Sequence, residues 1–190
     1  NFDNFIQLDP NKSLYVLDEL PENIDGLVYC PGTINLRSLQ RLTLEDIKNE
    51  MEVNFYGAFN IIKKVLPNLK KNDGASVVLF STVAVKTGMP MHSSIAAAKG
   101  ALEGLAKSLA AELAPRVAIN CVAPSIVDTK LAANILSTDE RKQASADRHP
   151  LKTIGSINSI ANSAYFLLQA KENWISGQIF RPDGGLSALK

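Results

Sequence analysis

Short apolar runs alternate along this chain with longer stretches in which apolar residues recur every three or four positions. The first pattern predicts strands and the second predicts amphipathic helices. Strands are expected at Phe5 to Leu8 and at Gly26 to Cys30, the latter closed by the Pro31-Gly32 turn. Thr43 can then cap a helix that carries Asp46 in its first turn. Its apolar positions are Leu44, Ile47, Met51, Phe55, Ala58, Ile62, Val65 and Leu69, and Asn72-Asp73-Gly74 stops it. Ser76 to Ser81 is nearly all apolar, as in a strand buried on both faces. A second long helix is predicted over about His92 to Leu113, where Ala96, Ala97, Ala98, Gly100, Ala101 and Ala106 let another helix come close. A strand at Val117 to Val122 follows, then a loop with short helical pieces to about Pro150. A helix near Ile157 to Ala170 and a last strand at Gln178 to Arg181 complete the order.

That alternation is the signature of βαβ units, so the fold class is α/β with a doubly wound parallel sheet covered on both faces. Composition narrows the rest. The chain has 190 residues, 46% of them hydrophobic, and a formal net charge of +1, which suits a single domain spanning 1–190. Lysines and arginines are scattered, so no nucleic-acid or polybasic membrane partner is expected. No apolar run approaches the roughly eighteen residues needed to cross a bilayer. A cytoplasmic protein with a small-molecule substrate is the reading. Cys30 and Cys121 lie in apolar stretches and are expected to be buried, inert thiols.

The order of landmarks from Ile24 onward resembles the short-chain dehydrogenase/reductase family. Ile24-Asp25-Gly26-Leu27-Val28 leading to Cys30-Pro31-Gly32 resembles the family's strand before Asn-Asn-Ala-Gly, with Cys and Pro in place of Asn and Ala. Asn54, in Val53-Asn54-Phe55-Tyr56-Gly57, matches the active-site asparagine. Lys99 matches the lysine of Tyr-x-x-x-Lys, and Ile95 stands where the tyrosine belongs. Counting the family's thirteen positions back from Ile95 reaches Thr82, the place of the catalytic serine. Asn120, Pro124 and Thr129 match the segment that ends in a threonine for the nicotinamide amide, and Asp183-Gly184-Gly185 matches the closing turn, read as structural.

The resemblance implies a Rossmann-like three-layer sandwich, NAD or NADP as cofactor, and hydride transfer to or from a small carbonyl or alcohol. It assigns Lys99, Thr82, Asn54 and His92 to catalysis, and Lys99, Gly32, Pro124 and Thr129 to the cofactor. It also implies a homo-oligomer, dimer or tetramer, packed through the two long helices. No glycine-rich turn precedes the first helix, so the N-terminal strand-helix units, about 45 to 60 residues, are expected to be absent from this chain.

In the family the tyrosine passes the proton while lysine lowers its pKa and holds the ribose. Ile95 has no ionisable atom. His92, seven positions before Lys99, falls on the same helix face and can donate a proton; in the enoyl-thioester reductase branch the tyrosine stands seven before the lysine. Simpler readings stay open: a surface Lys99–Glu103 pair, a capping His92, and a Thr82 hydroxyl that only satisfies local backbone. Two other functions stay open with them, a silent nucleotide- or protein-binding member and an enoyl- or dienoyl-thioester reductase.

Overall fold

The computed structural model describes residues 20–169, 172 and 174–189. The strand expected at Phe5 to Leu8 lies outside the described residues. Four strands form one sheet in the order β1-β2-β3-β4: β1 Gly26–Tyr29, β2 Ala75–Phe80, β3 Val117–Val122 and β4 Ile179–Phe180. All neighbouring pairs are parallel. Between them run α1 Leu44–Met51, a π-helical turn Glu52–Tyr56, α2 Gly57–Leu69, α3 Ala84–Thr87, α4 Ser93–Leu113, α5 Asp139–Asp147 and α6 Ile157–Leu168.

Alternation along the central strands sorts side chains into two cores. Ala75, Val77 and Leu79 of β2 and Val117, Ile119 and Cys121 of β3 pack with Ile62, Val65 and Leu69 of α2 and Leu102, Ala106 and Leu113 of α4. Val78 and Val122 face the other way, against Ile160, Ala164 and Leu167 of α6. Each fully buried Leu, Ile or Val side chain contributes about 1.5–3 kcal/mol relative to exposure, so these two layers hold the sheet. Ser76, a polar residue inside β2, is satisfied because its hydroxyl donates to the Leu167 carbonyl at 2.8 Å. The doubly wound parallel α/β sheet read from the pattern is the architecture found.

Boundaries and one burial expectation change. β1 stops at Tyr29, so Cys30 follows the strand and is exposed, while Cys121 is buried. The expectation of two buried thiols therefore fails for Cys30, which lies past the end of its strand and is exposed among the described residues. Thr43 caps α1 as expected, through a reciprocal box in which its hydroxyl accepts from the Asp46 N–H and the Asp46 carboxylate accepts from the Thr43 N–H. The predicted helix from Leu44 to Leu69 is not one regular α-helix, since the π turn interrupts it. α6 ends at Leu168 and β4 is two residues long, both shorter than the pattern suggested.

Candidate functional site

Parallel strands deliver their C-terminal ends to one edge of the sheet, where doubly wound folds keep their ligand crevice. Here that edge carries the loop after Tyr29, the turn at Ser81 to His92, and the segment from Ala123 to Thr129. Helices α1 and α4 lean over it and contribute their own side chains.

Lys99 enters from the second turn of α4. Ile95, Ala98, Lys99, Leu102 and Ala106 share the inward face of this helix, so its register carries the ammonium inside, where the residue is only 7% exposed. Gly32, in the loop after β1, lies directly beside it. A Cβ at Gly32 would stand 3.7 Å from Lys99 Nζ and 3.2 Å from Asn54 Oδ1. The missing side chain thus leaves a small cradle floored by one ammonium and one amide.

Asn54 sits in the π turn and is fully buried. Its side-chain amide donates to the Glu50 carbonyl at 2.9 Å, the acceptor that its own backbone N–H takes in a regular α-helix. That substitution of side chain for backbone gives a local reason for the widened turn. Thr33 Oγ1 at 2.9 Å and Glu50 Oε2 at 3.0 Å lie around the same amide nitrogen, which shares its two hydrogens among the three acceptors, and Oδ1 accepts from the Thr33 N–H at 3.3 Å. Structure therefore brings Gly32, Asn54 and Lys99 together.

The electrostatics follow from burial. Loss of water pushes Lys99 down to about 8, an effect partly opposed by Cys121, Glu50 and Cys30 nearby. Burial likewise pushes the Glu50 carboxyl up, against the Thr33 hydroxyl, the Asn35 backbone N–H, Lys99 and the Asn54 amide, which favour its ionised form. The Cys30 thiol is raised by burial and lowered by Lys99. Tyr29 does not stand in for the missing tyrosine. Its hydroxyl donates to the Val53 carbonyl at 2.7 Å, and burial pushes it up to about 12.

The other predicted residues are placed separately. Thr82 follows β2 and its hydroxyl accepts from the Ala84 N–H at 3.3 Å, a local contact of the kind anticipated as the simpler reading. Pro124 lies next to it, since its carbonyl accepts from the Val83 N–H at 3.0 Å. Thr129 donates to the Val127 carbonyl at 3.4 Å at the start of a short 3-10 turn. His92 precedes α4 as its N-cap residue, without a side-chain cap bond, and its Nδ1 lies 2.7 Å from the Pro90 carbonyl. A carbonyl only accepts, so that nitrogen carries the hydrogen and Nε2 is the ring's other face. Ile95 is buried at 4% exposure. Asn120 is a fold pin, bonding the Ile175 carbonyl and the Gln178 N–H. Asp183 accepts from the Gly185 and Ser187 N–H groups, a structural turn as read.

The Lys99–Glu103 surface pair is not formed. Glu103 is buried and accepts from Ser81 Oγ at 2.6 Å, with Arg181 3.9 Å away.

Sequence reading missed two groups. Glu50 is 2% exposed and stands four residues before Asn54, on the same helix face; the apolar step at Ile47 and Met51 drew attention from it. The second is Ser125 with His149. His149 Nδ1 lies 2.7 Å from the Ser145 carbonyl and so carries a hydrogen, which makes Nε2 of the neutral ring an acceptor for the Ser125 hydroxyl at 2.8 Å. The signal was a hydroxyl where the Pro-Gly of the resembling segment has glycine.

With this geometry in place, the comparisons identify the chain. The family model described as enoyl-(acyl carrier protein) reductase matches residues 15–187. This chain belongs to the short-chain dehydrogenase/reductase family of NAD(P)-dependent oxidoreductases. It is 32% identical over 162 residues to a tropinone reductase homolog of Arabidopsis thaliana, covering 85% of this chain and 62% of that protein. It is 33% identical over 177 residues to the 3-oxoacyl-(acyl-carrier-protein) reductase FabG of Aquifex aeolicus, covering 93% and 71%. A solved gluconate 5-dehydrogenase from Burkholderia cenocepacia, in complex with NADP and tartrate, superposes with a TM-score of 0.82 at 26% identity, covering 88% of this chain and 66% of that one. The chain spans 62% of the length of the plant relative. Among the described residues no helix is long and apolar enough to cross a membrane.

Proposed function

We propose that this protein is a reductase or dehydrogenase that moves hydride between NAD or NADP and a small carbonyl or alcohol substrate, at a site built by residues 1–190 as one nucleotide-binding domain. The observation that carries this reading is the buried ammonium of Lys99 beside Asn54 and the Gly32 cradle. A cradle that a Cβ would fill, floored by a cation, suits the close approach of a nucleotide's ribose hydroxyls. Lys99 holds those hydroxyls, Gly32, Pro124 and Thr129 line the cofactor, and Asn54 supports the lysine. When bound, the nicotinamide supplies or accepts the hydride.

Thr82 orients the substrate oxygen from the end of β2. The proton for that oxygen cannot come from Ile95, so the reading gives it to His92, whose Nε2 can donate only when the ring carries both hydrogens, Nδ1–H staying on the Pro90 carbonyl. Losing a positioned acid costs roughly a hundred- to ten-thousandfold in rate, which sets the handicap His92 must offset. Buried Ile95 also favours a second reading, thioester reduction, in which an enolate oxygen needs less help from an acid. The protein works in the cytoplasm as a homo-oligomer through the α1–α2 and α4 faces, where Leu44 is 68% exposed.

Purified full-length protein tests this directly. Saturable binding of NADPH or NADH and turnover of a ketone, aldehyde or enoyl-thioester, reduced at least tenfold in His92→Ala, supports the reading. Binding without turnover across the panel, with activity created only by Ile95→Tyr, removes it and leaves a silent nucleotide binder.

A further inference from the structure

Glu50 is a carboxyl buried at 2% exposure on the last turn of α1, and the functional reading above does not use it. An acid taken out of water costs several kcal/mol unless donors and a counter-charge compensate it. This one has both. The Asn54 amide donates to Oε2 at 3.0 Å, and the Thr33 hydroxyl and the Asn35 backbone N–H also donate to the carboxylate. Thr33 Oγ1 in turn accepts from Asn54 at 2.9 Å, so its own hydrogen is left for Glu50. These neighbours favour the acceptor-only, ionised form of the carboxyl, against the burial that raises it.

Lys99 is the matching cation. Its Nζ and Asn54 Oδ1 meet at the Gly32 cradle, 3.7 and 3.2 Å from the Cβ position, and the groups coupled to it are Cys121 on β3, Glu50 from α1 and Cys30 after β1. Burial raises the Cys121 thiol to about 12, above the value at which Lys99 titrates, and the Cys30 thiol is also raised from its ordinary value. Glu50 is the one carboxyl among the groups coupled to the ammonium. Glu103, one turn further along α4, is held by Ser81 and Arg181.

Resting on the functional reading above, we propose that Glu50 is a positioning residue of the site: its buried carboxylate, 3.0 Å from the Asn54 amide, sets Asn54 and the neighbouring Lys99 against the Gly32 cradle. The isosteric Glu50→Gln keeps the packing and removes the charge. A residue that only filled space would tolerate that exchange without moving the lysine's titration.

The test follows the 13Cε resonance of Lys99 against pH in selectively labelled full-length protein, assigned by its absence in Lys99→Arg. In Glu50→Gln the midpoint falls, since removing an opposite charge disfavours the ammonium. NADPH affinity, read by fluorescence, falls with it, and the loss widens as pH rises from 7 to 8. An unchanged or raised Lys99 midpoint in folded Glu50→Gln overturns the proposal. Should Glu50→Gln not fold, Glu50→Asp carries the test: a carboxylate one methylene shorter lowers the midpoint by less, and no change overturns the proposal. The NMR readout needs no cofactor. Absence of NADPH and NADH binding in the wild type therefore sinks the oxidoreductase reading alone, and the Lys99 midpoint still decides the role of Glu50.

Discussion

The two halves of the helical run from Leu44 to Leu69 face the same interior and bury opposite kinds of side chain. α2 turns Ala58, Ile61, Ile62, Val65 and Leu69 into the core under β1 and β2. The preceding half buries Glu50 and Asn54 instead, and its apolar members are half-buried, or exposed in the case of Leu44 and Tyr56. The border is the π turn, where Asn54 captures the Glu50 carbonyl. One continuous element thus anchors the sheet at one end and furnishes a site at the other. Apolar burial is non-directional and tolerates repacking, whereas the Glu50–Asn54–Thr33 set works only with every donor and acceptor matched.

Substitutions can break this division, and the largest effect is expected in the apolar half. Leu69→Ala leaves a cavity under β2 and costs about 2–5 kcal/mol in urea unfolding, with cofactor affinity of the folded protein unchanged. An equal loss of affinity would show that the two halves are not separable.

Next comes Lys99→Met, which behaves oppositely. It removes a charge-assisted contact worth about 1.5–3 kcal/mol, so nucleotide Kd rises about ten- to a hundredfold by fluorescence titration. Stability at pH 7 does not fall by the amount seen for Leu69→Ala, because the native protein no longer buries an ammonium.

A pH series sharpens the same point. Lys99 titrates at about 8 in the fold, below its usual 10.5. Between those values the unfolded chain binds more protons than the native one, so this lysine's contribution to stability rises with pH across the window. Nucleotide binding moves the other way, weakening as pH passes about 8 and the charge is lost. Calorimetric Tm and nucleotide affinity measured from pH 7 to 10 are expected to move in opposite directions, Tm upward and affinity downward, and a common rise or fall of the two would contradict the assignment of Lys99.

A smaller effect belongs to the capping box. Thr43→Ala costs about 1 kcal/mol by thermal unfolding, since it strips one N-terminal donor of its acceptor. Smallest is Leu44→Ser, within about 0.5 kcal/mol for an exposed position in a monomer. A clear loss of oligomer by light scattering in that variant would place Leu44 in a subunit contact.

Much of this molecule was legible because burial imposes period. β2 and β3 are nearly all apolar since helices cover both faces of the sheet, and their limits match the pattern to within one residue. The residues of the site were legible through the family resemblance: Asn54, Lys99 and Gly32 were named as the positions that match its motifs, and they lie together. What escaped was whatever depends on a side chain choosing among partners. Ile47 and Met51 advertised an apolar stripe that Glu50 in fact interrupts. Ser125 and His149 are 24 residues apart, and nothing local marks them as bonded. Cys30 looked interior because its neighbours are apolar, and it is exposed because the strand ends one residue earlier.

By itself the sequence determined the α/β alternation, the Thr43 cap and the isoleucine at position 95, all of which are properties of one element at a time. Only the tertiary structure decided that a buried carboxylate would face that lysine, that Glu103 would turn to Ser81 and Arg181, and that His92 would stop at the helix end with its ring on Pro90. Periodicity tells which face is buried. Packing three elements against each other tells which groups meet there, and in a low-dielectric interior that meeting sets their charge.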